Sequence, residues 1–344
     1  MAAPAMSVAA AKVTMRNVLV VNAGSETLKL RVVDEDGGVE TVSDFGPADA
    51  VGHRVVHGGD RFREPVLVDD DVERAIEALV PLAPLHNAPA LRALRDARAA
   101  LPDVPHVAVF DTAFHATIPE EAAVYAVPAA WGVRRYGFHG IAIQWVAERI
   151  PGRRLVVCHL GGGSSVTAVL DGRSVDTTMG FTPLEGVPMT TRSGSVDPGA
   201  LLYVLREHGL TADELDWALN AESGLAALSG TSGDMREVLR AGEAGALAFR
   251  VYAYRVAAAV AAMAAALGGL DALVFSAGIG ERSPDVRAAV CERLAFLGVR
   301  LDQEANLRAE PDAELSAAGS DAAVWVVAAR EELVIARETR RLLA

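Results

Sequence analysis

Cysteine is nearly absent from this chain of 344 residues: Cys158 lies in an apolar strand-like run and Cys291 in a helical stretch. Two such residues give no disulfide framework and no metal-finger spacing, and both read as buried, reduced thiols suited to the cytosol. Basic residues are outnumbered, and a net charge of −13 argues against a nucleic-acid partner, which would need a basic face. An anionic substrate stays open, because a few local arginines decide that. Long apolar runs are also missing. Met1–Arg16 is Ala-rich without the continuous apolar core of a signal peptide, so it is expected to be a disordered extension, or Met15 the true start. Arg250 and Arg255 interrupt Ala246–Leu267, leaving a run too short for about 30 Å of hydrocarbon. No membrane span is expected there, but a buried Ala-rich helix that fits a subunit interface. Only 22% of residues are charged and no low-complexity segment occurs, so a large core replaces general disorder.

What the chain does have is one plan used twice. Val18–Val33 is an apolar strand, a Gly/Ser turn and a second strand, and Leu155–Leu170 repeats that order. Gly and Ser in such turns let backbone N–H groups and hydroxyls converge on an anion, because no Cβ obstructs its approach. One such turn is an ordinary hairpin; a pair, one in each half, suggests two related domains gripping a phosphate chain between them. The length itself predicts two domains. Strands are expected at 18–21, 28–33, 51–56, 107–110, 155–159, 166–170, 272–276 and 324–327. Helices are expected at 71–80, 89–100 (Asn87 as its cap), 141–149 and 331–343, an α/β pattern of sheets covered by helices.

The residues able to carry chemistry cluster in a few segments. Met179–Gly199 is too irregular for one element and too apolar for a solvated loop, and its single cation is Arg192. Arg54 sits in Gly52-His-Arg-Val-Val-His-Gly-Gly59. Guanidinium groups bind carboxylates and phosphates bidentately and stabilise a transferring phosphoryl group. Asp111 ends an apolar strand, where α/β sheets put ligands; a helix cap or turn former is the alternative. His139, in Tyr136-Gly-Phe-His-Gly140, is a donor flanked by glycines that allow close backbone approach. His86 and His159 are singled out for their settings, whereas His53 and His57, four apart on a strand, do not meet as a metal pair. Ser276-Ala-Gly-Ile-Gly-Glu-Arg282 follows a strand and suits a nucleotide, but it is neither a Walker loop nor a dinucleotide fingerprint.

Taken together, these segments, in this order from Val18 to the C-terminus, resemble the acetate kinases of the acetate and sugar kinase, heat-shock 70 and actin superfamily. The resemblance implies a two-lobed, duplicated ribonuclease H-like fold with a nucleotide cleft between lobes: 17–116 plus 331–344 in a shortened first lobe, 117–330 in the second. It implies phosphoryl transfer between ATP and acetate, giving acetyl phosphate and ADP, with Mg²⁺ (Mn²⁺ as a substitute), in a cytoplasmic homodimer. Asn22 and Glu331 resemble the magnesium-linked residues, Lys29 an ATP contact, and Arg54 the ligand of the carboxylate or acyl phosphate. Asp111 resembles the catalytic carboxylate; His139 and Arg192 resemble the transition-state stabilisers. Nucleotide contacts would fall on His159, Leu160, Gly161, Gly162 and Gly163, on Asp234, Met235 and Arg236, and on Gly278, Ile279, Gly280, Glu281 and Arg282. Val56, Leu85, Phe138 and Pro183 would enclose the substrate's methyl group.

Four departures mark this chain. Ser25-Glu-Thr27 stands where the family usually has Ser-Ser-Ser, Leu30–Gly52 is short, and Arg330 and Arg282 replace smaller polar residues. Glu26 beside a phosphate would repel it unless it turned toward a cation. Propionate or another short acid as acceptor, and a non-catalytic nucleotide-binding sensor or scaffold, remain the competing readings.

Overall fold

The computed structural model describes residues 15–24 and 28–344, so Glu26 and residues 1–14 of the expected extension lie outside the described residues. Met15 and Arg16, assigned to that extension, are tied down: their carbonyls accept hydrogen bonds from Arg340, which also reaches the carbonyl of Val33.

The duplication extends well beyond the two hairpins. The first sheet comprises β1 (Val18–Ala23), β2 (Leu28–Val33), β3 (Val39–Val42), β4 (Ala50–Val55), β5 (Val66–Leu67) and β6 (His106–Phe110). The second comprises β7 (Arg154–Leu160), β8 (Ser164–Leu170), β9 (Arg173–Thr177), β10 (Ala272–Ser276), β11 (Ala313–Glu314) and β12 (Ala323–Val326). Their spatial orders are β3-β2-β1-β4-β6-β5 and, read from the matching edge, β9-β8-β7-β10-β12-β11. Each sheet has an antiparallel three-strand meander, two parallel additions and one antiparallel edge strand. Sequence patterning missed β3, β5, β9 and β11: β5 and β11 have two residues each, and β3 and β9 are short strands, half or more polar, without an apolar run.

The helices that organise the sheets are α1 (Asp70–Ala78), α2 (Pro84–Ala100), α3 (Gly140–Ala147), α4 (Pro198–Glu207), α5 (Ala212–Ala221), α6 (Gly242–Leu267), α7 (Pro284–Arg293) and α8 (Glu331–Leu343). Strand alternation decides which side each residue serves. Leu19 and Val21 of β1 pack toward α2, while Val18 and Val20 face the other way. Val156, Cys158 and Leu160 of β7 join the core under α6; Leu155 and Val157 turn to the opposite side. There both sheets meet α3 and α8 in one shared core containing Ile141, Trp145, Val274, Val334 and Ile335. The last helix thus packs back on β1, β4 and β6 of the first sheet.

Two expectations are corrected. Asn87 does not cap a helix beginning at Pro89, because α2 starts at Pro84. Its buried amide instead accepts from the His57 N–H at 2.9 Å and donates to the His57 carbonyl at 3.0 Å. The apolar helix α6 is buried along one face only: Tyr252, Val256 and Val260 are inside, while Leu247 and Tyr254 are about half exposed at 48% and 56%. By length and composition it is the one described helix that could cross a membrane, a test that core helices also pass.

His53 and His57 do not pair; His53 Nε2 instead lies 2.9 Å from His106 Nδ1. His106 Nε2–H donates to the Leu101 carbonyl at 3.0 Å, so its Nδ1 accepts from His53, and both rings are neutral. Burial, then the neighbouring His106 and Arg98, pushes the His53 pKa down to about 3, and burial lowers that of His106. The unfolded chain binds protons here near pH 6.5 and the folded one does not, so this stabilisation is intact above pH 6.5 and lost on acidification. By pH 5 the loss should be about 2 kcal/mol for a fully buried histidine. Urea unfolding of His53→Leu at pH 7.5 and 5 should show a shallower pH dependence than the wild-type chain; equal slopes would contradict the assignment.

Candidate active site

Three first-sheet elements end at one point. Asn22 and Arg54 lie next to the last residues of β1 and β4, and Asp111 follows β6. Arg54 grips Asp111 with two nitrogens, Nε at 3.2 Å from Oδ1 and Nη2 at 2.5 Å from Oδ2, and its Nη1 donates to Asn22 Oδ1 at 3.2 Å. Asn22 Nδ2 in turn donates to Glu331 Oε2 at 2.9 Å, which is 3.8 Å from Arg54 Nε. Glu331 is the first residue of α8, so the last helix delivers a carboxylate to the strand ends of the first sheet.

The electrostatics of this group follow from burial. Burial pushes the Asp111 carboxyl up to about 6; Arg54 pulls the other way and Glu331 adds to the rise. Burial also opposes ionisation of Glu331, but Arg54, His159 and the Asn22 amide outweigh it and hold its pKa below the usual value. For Arg54 burial works against the charge, and the carboxylates of Asp111 and Glu331 more than compensate.

Arg192 differs from Arg54 in having no carboxylate partner among the described residues. Its Nη1 donates to the Pro183 carbonyl at 3.2 Å and contacts Met189 Sδ at 3.8 Å, and its Nη2 faces His86 Nε2 at 3.0 Å. Burial lowers its pKa and brings that of His86 down to about 3, so the imidazole accepts and the guanidinium keeps the charge. A half-buried cation with only neutral partners favours an incoming anion.

His139 caps α3 in a left-handed conformation (φ 62°). Gly140 makes that entry feasible, since a Cβ there would collide with the Asp111 carbonyl. Burial, then His159, Arg54 and Arg192, keeps the His139 ring neutral, with Nδ1 3.0 Å from Ser165 Oγ. A Cβ on Gly163 would sit 3.2 Å from His139 Nε2 and 3.5 Å from Arg192 Nη1. The second glycine turn therefore leaves open the spot on which both groups converge.

Two cavities adjoin this centre. One of about 300 Å³ is lined by residues of both hairpins, Asn22 and Lys29 from one and His159 from the other, with Arg31, Glu281, Arg282, Glu331 and Glu332. His159 Nδ1 is buried there without a hydrogen-bond partner among the described residues. The other, about 580 Å³, is lined by Gly161, Gly162, Asp234, Met235, Arg236, Gly278, Ile279 and Arg282. Thr190, Ser232, Gly233, Leu239, Arg240 and Ser283–Asp285 complete it; Thr190 falls within the Met179–Gly199 loop, Ser283–Asp285 follow the Ser276–Arg282 segment, and a Ser-Gly-Asp turn marks Ser232 and Gly233. Leu160 lies in the second sheet's core and Gly280 is packed against Cys158 and Phe275, so neither side faces a cavity. Val56 and Phe138 form a buried apolar cluster with Met179 and Met189, both unanticipated. Pro183 is buried beside Arg192, whereas Leu85, at the start of α2, is 47% exposed.

Duplicated sheets whose strand ends present paired arginines, carboxylates and glycine turns to a shared cleft define a kinase of the two-lobed ribonuclease H-like class. The chain belongs to the acetokinase family, whose model matches residues 39–337. It is 54% identical over 315 residues to an acetate kinase of Deinococcus deserti, covering 86% of this chain and 78% of that protein. Against an acetate kinase of a Synechococcus strain it is 51% identical over 308 residues, 85% of this chain and 76% of the other. Among solved structures, a propionate kinase from Francisella tularensis superposes with a TM-score of 0.88 at 34% identity, covering 95% of this chain and 100% of the other. Porphyromonas gingivalis acetate kinase gives 0.85 at 33%, covering 96% and 100%.

Removing Arg54 strands Asp111 in the interior. Arg54→Ala should cost about 3 kcal/mol or more of stability at pH 7, and less at pH 5, where the stranded carboxyl takes up a proton. Urea unfolding at the two pH values measures both; equal stability of variant and wild type at pH 7 would show that the pair holds nothing together.

Proposed function

We infer that this chain is an ATP:acetate phosphotransferase, forming acetyl phosphate and ADP and running the reverse reaction. One observation carries the reading: Arg192, half-buried and without a carboxylate partner among the described residues, converges with neutral His139 on bare Gly163 beside an apolar cluster. That is a receptor for a small acid whose charged end faces cations and whose methyl end faces Val56 and Phe138.

The chemistry asks little covalent work of the protein. A carboxylate oxygen of the acid bonds to the γ-phosphorus while the bond to the β-bridging oxygen of ATP breaks and ADP leaves with that electron pair. The acid is already ionised near neutrality, so no general base is required, in keeping with histidines that burial holds neutral. Arg54 and Arg192 orient the acid and compensate charge on the transferring group, and His139 donates from its ring N–H. The adenosine and its phosphates occupy the 580 Å³ cavity between Gly161–Gly162, Asp234–Arg236 and Gly278–Arg282, with Lys29 reaching them from the first hairpin.

Asn22, Asp111 and Glu331 offer hard oxygen donors and no all-protein cage, the kind of site that holds Mg²⁺ through one or two carboxylates plus substrate phosphates. Bound there, the ion would neutralise phosphate charge. The lobes are assigned to 17–116 with 331–344 and to 117–330, in a cytoplasmic protein. Self-association is supported by α4 and α5, which bury no residue and carry exposed Leu202, Tyr203 and Trp217. A propionate-preferring enzyme is the second reading, favoured by the two unbranched methionines of the apolar cluster and by the overlap that one methylene allows.

Hydroxylamine trapping of acyl phosphate from ATP, Mg²⁺ and acetate tests the function directly. The wild-type chain should form the hydroxamate, and Arg192→Ala should lower kcat by about 10²-fold or more with unfolding behaviour unchanged. A folded Arg192→Ala variant with normal turnover would remove the proposed role, and an inert wild type would favour a non-catalytic binding protein. Sedimentation velocity should give twice the chain mass of 36.0 kDa for the wild type and a monomer for Trp217→Glu with Tyr203→Glu; a monomeric wild type would discard the dimer.

A further inference from the structure

We propose that Met189, backed by Met179, is the determinant of acid chain length in this site. The inference rests on the reading of the chain as an acetate kinase and adds the part of the site that decides which acid fits.

Val56, Phe138, Met179 and Met189 are all nearly inaccessible and form one small cluster separate from the larger cores. Its position ties it to the charged centre. Val56 lies two residues beyond Arg54, Phe138 immediately precedes His139, and the Met189 sulfur is 3.8 Å from Arg192 Nη1. The Met189 contact sets one end of the cluster against Arg192, the side from which the alkyl end of an acid held by that guanidinium would reach it.

The backbone around both methionines is pinned. The Met189 N–H donates to the Arg192 carbonyl at 3.0 Å, and its own carbonyl accepts from Leu225 at 2.9 Å. Gly224 (φ 64°) lies so close that any side chain there would strike that carbonyl. The Met179 carbonyl accepts from Arg135 Nη1 at 3.2 Å, a nitrogen that also holds the carbonyls of Thr177 and Thr178. With main chain fixed and Val56 branched and stiff, extra room comes from the unbranched thioether side chains, the most adaptable of apolar groups.

Met189 carries a second duty. Its sulfur is one of three neutral neighbours seating Arg192, with the Pro183 carbonyl and His86. A longer acid that displaces the thioether disturbs the guanidinium as well, so misfit at the alkyl end is felt at the charged end.

The test is kcat/KM for acetate, propionate and butyrate in the hydroxamate assay, with wild type, Met189→Ala, Met189→Leu and Met179→Ala. Met189→Ala should raise the propionate-to-acetate ratio about tenfold or more, the scale of one methylene in an apolar pocket, and Met179→Ala should move it the same way by less. Met189→Leu keeps the volume and loses the sulfur, so the ratio should hold while all acids slow by a similar factor. Should Met189→Ala fail to fold, Met189→Val removes less volume and should shift the ratio in the same direction. Folded alanine or valine variants that lower all three acids equally would overturn the inference, leaving the methionines as core residues only. A wild-type chain inert toward every acid would overturn the functional reading, and this inference with it.

Discussion

The site is organised around one buried cation. Arg54 binds Asp111 bidentately, donates to the side-chain amide oxygen of Asn22, and lies near Glu331. In doing so it fastens the ends of β1, β4 and β6 to the start of the last helix. A guanidinium is suited to this because its planar fork satisfies several acceptors at once, and an ammonium would not. The arrangement is costly in isolation, since desolvating these charges opposes the folded state. It is retained where function needs charge in a dry place, and here the same charge helps keep the neighbouring His139 ring neutral.

Arg192 shows the complementary solution. Where Arg54 is compensated by protein carboxylates, Arg192 is held by an imidazole, a carbonyl and a thioether, none of which neutralises it. The protein thus engages one arginine with its own carboxylates and leaves the other without one among the described residues. The histidines nearby serve the same division. Burial lowers the pKa of His86, His139 and His159 alike, so none adds a competing positive charge, and each offers a neutral donor or acceptor.

Much of the fold was legible because the duplicated hairpins carry short apolar, β-branched strands and glycine turns. The register of Asn22 opposite Lys29 and of His159 opposite Ser165 follows from them. The two-residue edge strands were not legible, since pairing rather than pattern makes them strands. Asn87 misled for a related reason: a residue favoured at helix caps was recruited by the backbone of His57, 30 positions away. The charged residues of the site could be read from motif position, whereas Met179 and Met189 could not. Buried methionines in a loop look like any other apolar residue until the fold sets them beside Val56 and Phe138.

The charge count of the cleft carries one further step. Arg54 and Arg192 balance Asp111 and Glu331, leaving the centre near neutrality. In the adjoining cavity Lys29, Arg31 and Arg282 face Glu281 and Glu332 besides the Glu331 already counted, a surplus of a single positive charge, with Arg31 already paired to Glu332 at 2.6 Å. A nucleotide polyphosphate entering beside a second anion therefore meets too little fixed positive charge from the protein alone. Repulsion between close, partly desolvated anions is severe, so the deficit has to be met by a cation that arrives with the substrate. A divalent ion shared between phosphate oxygens and a few protein donors meets it without a permanent metal cage. The scarcity of uncompensated basic side chains in the cleft is thus the electrostatic counterpart of the magnesium dependence proposed for this enzyme.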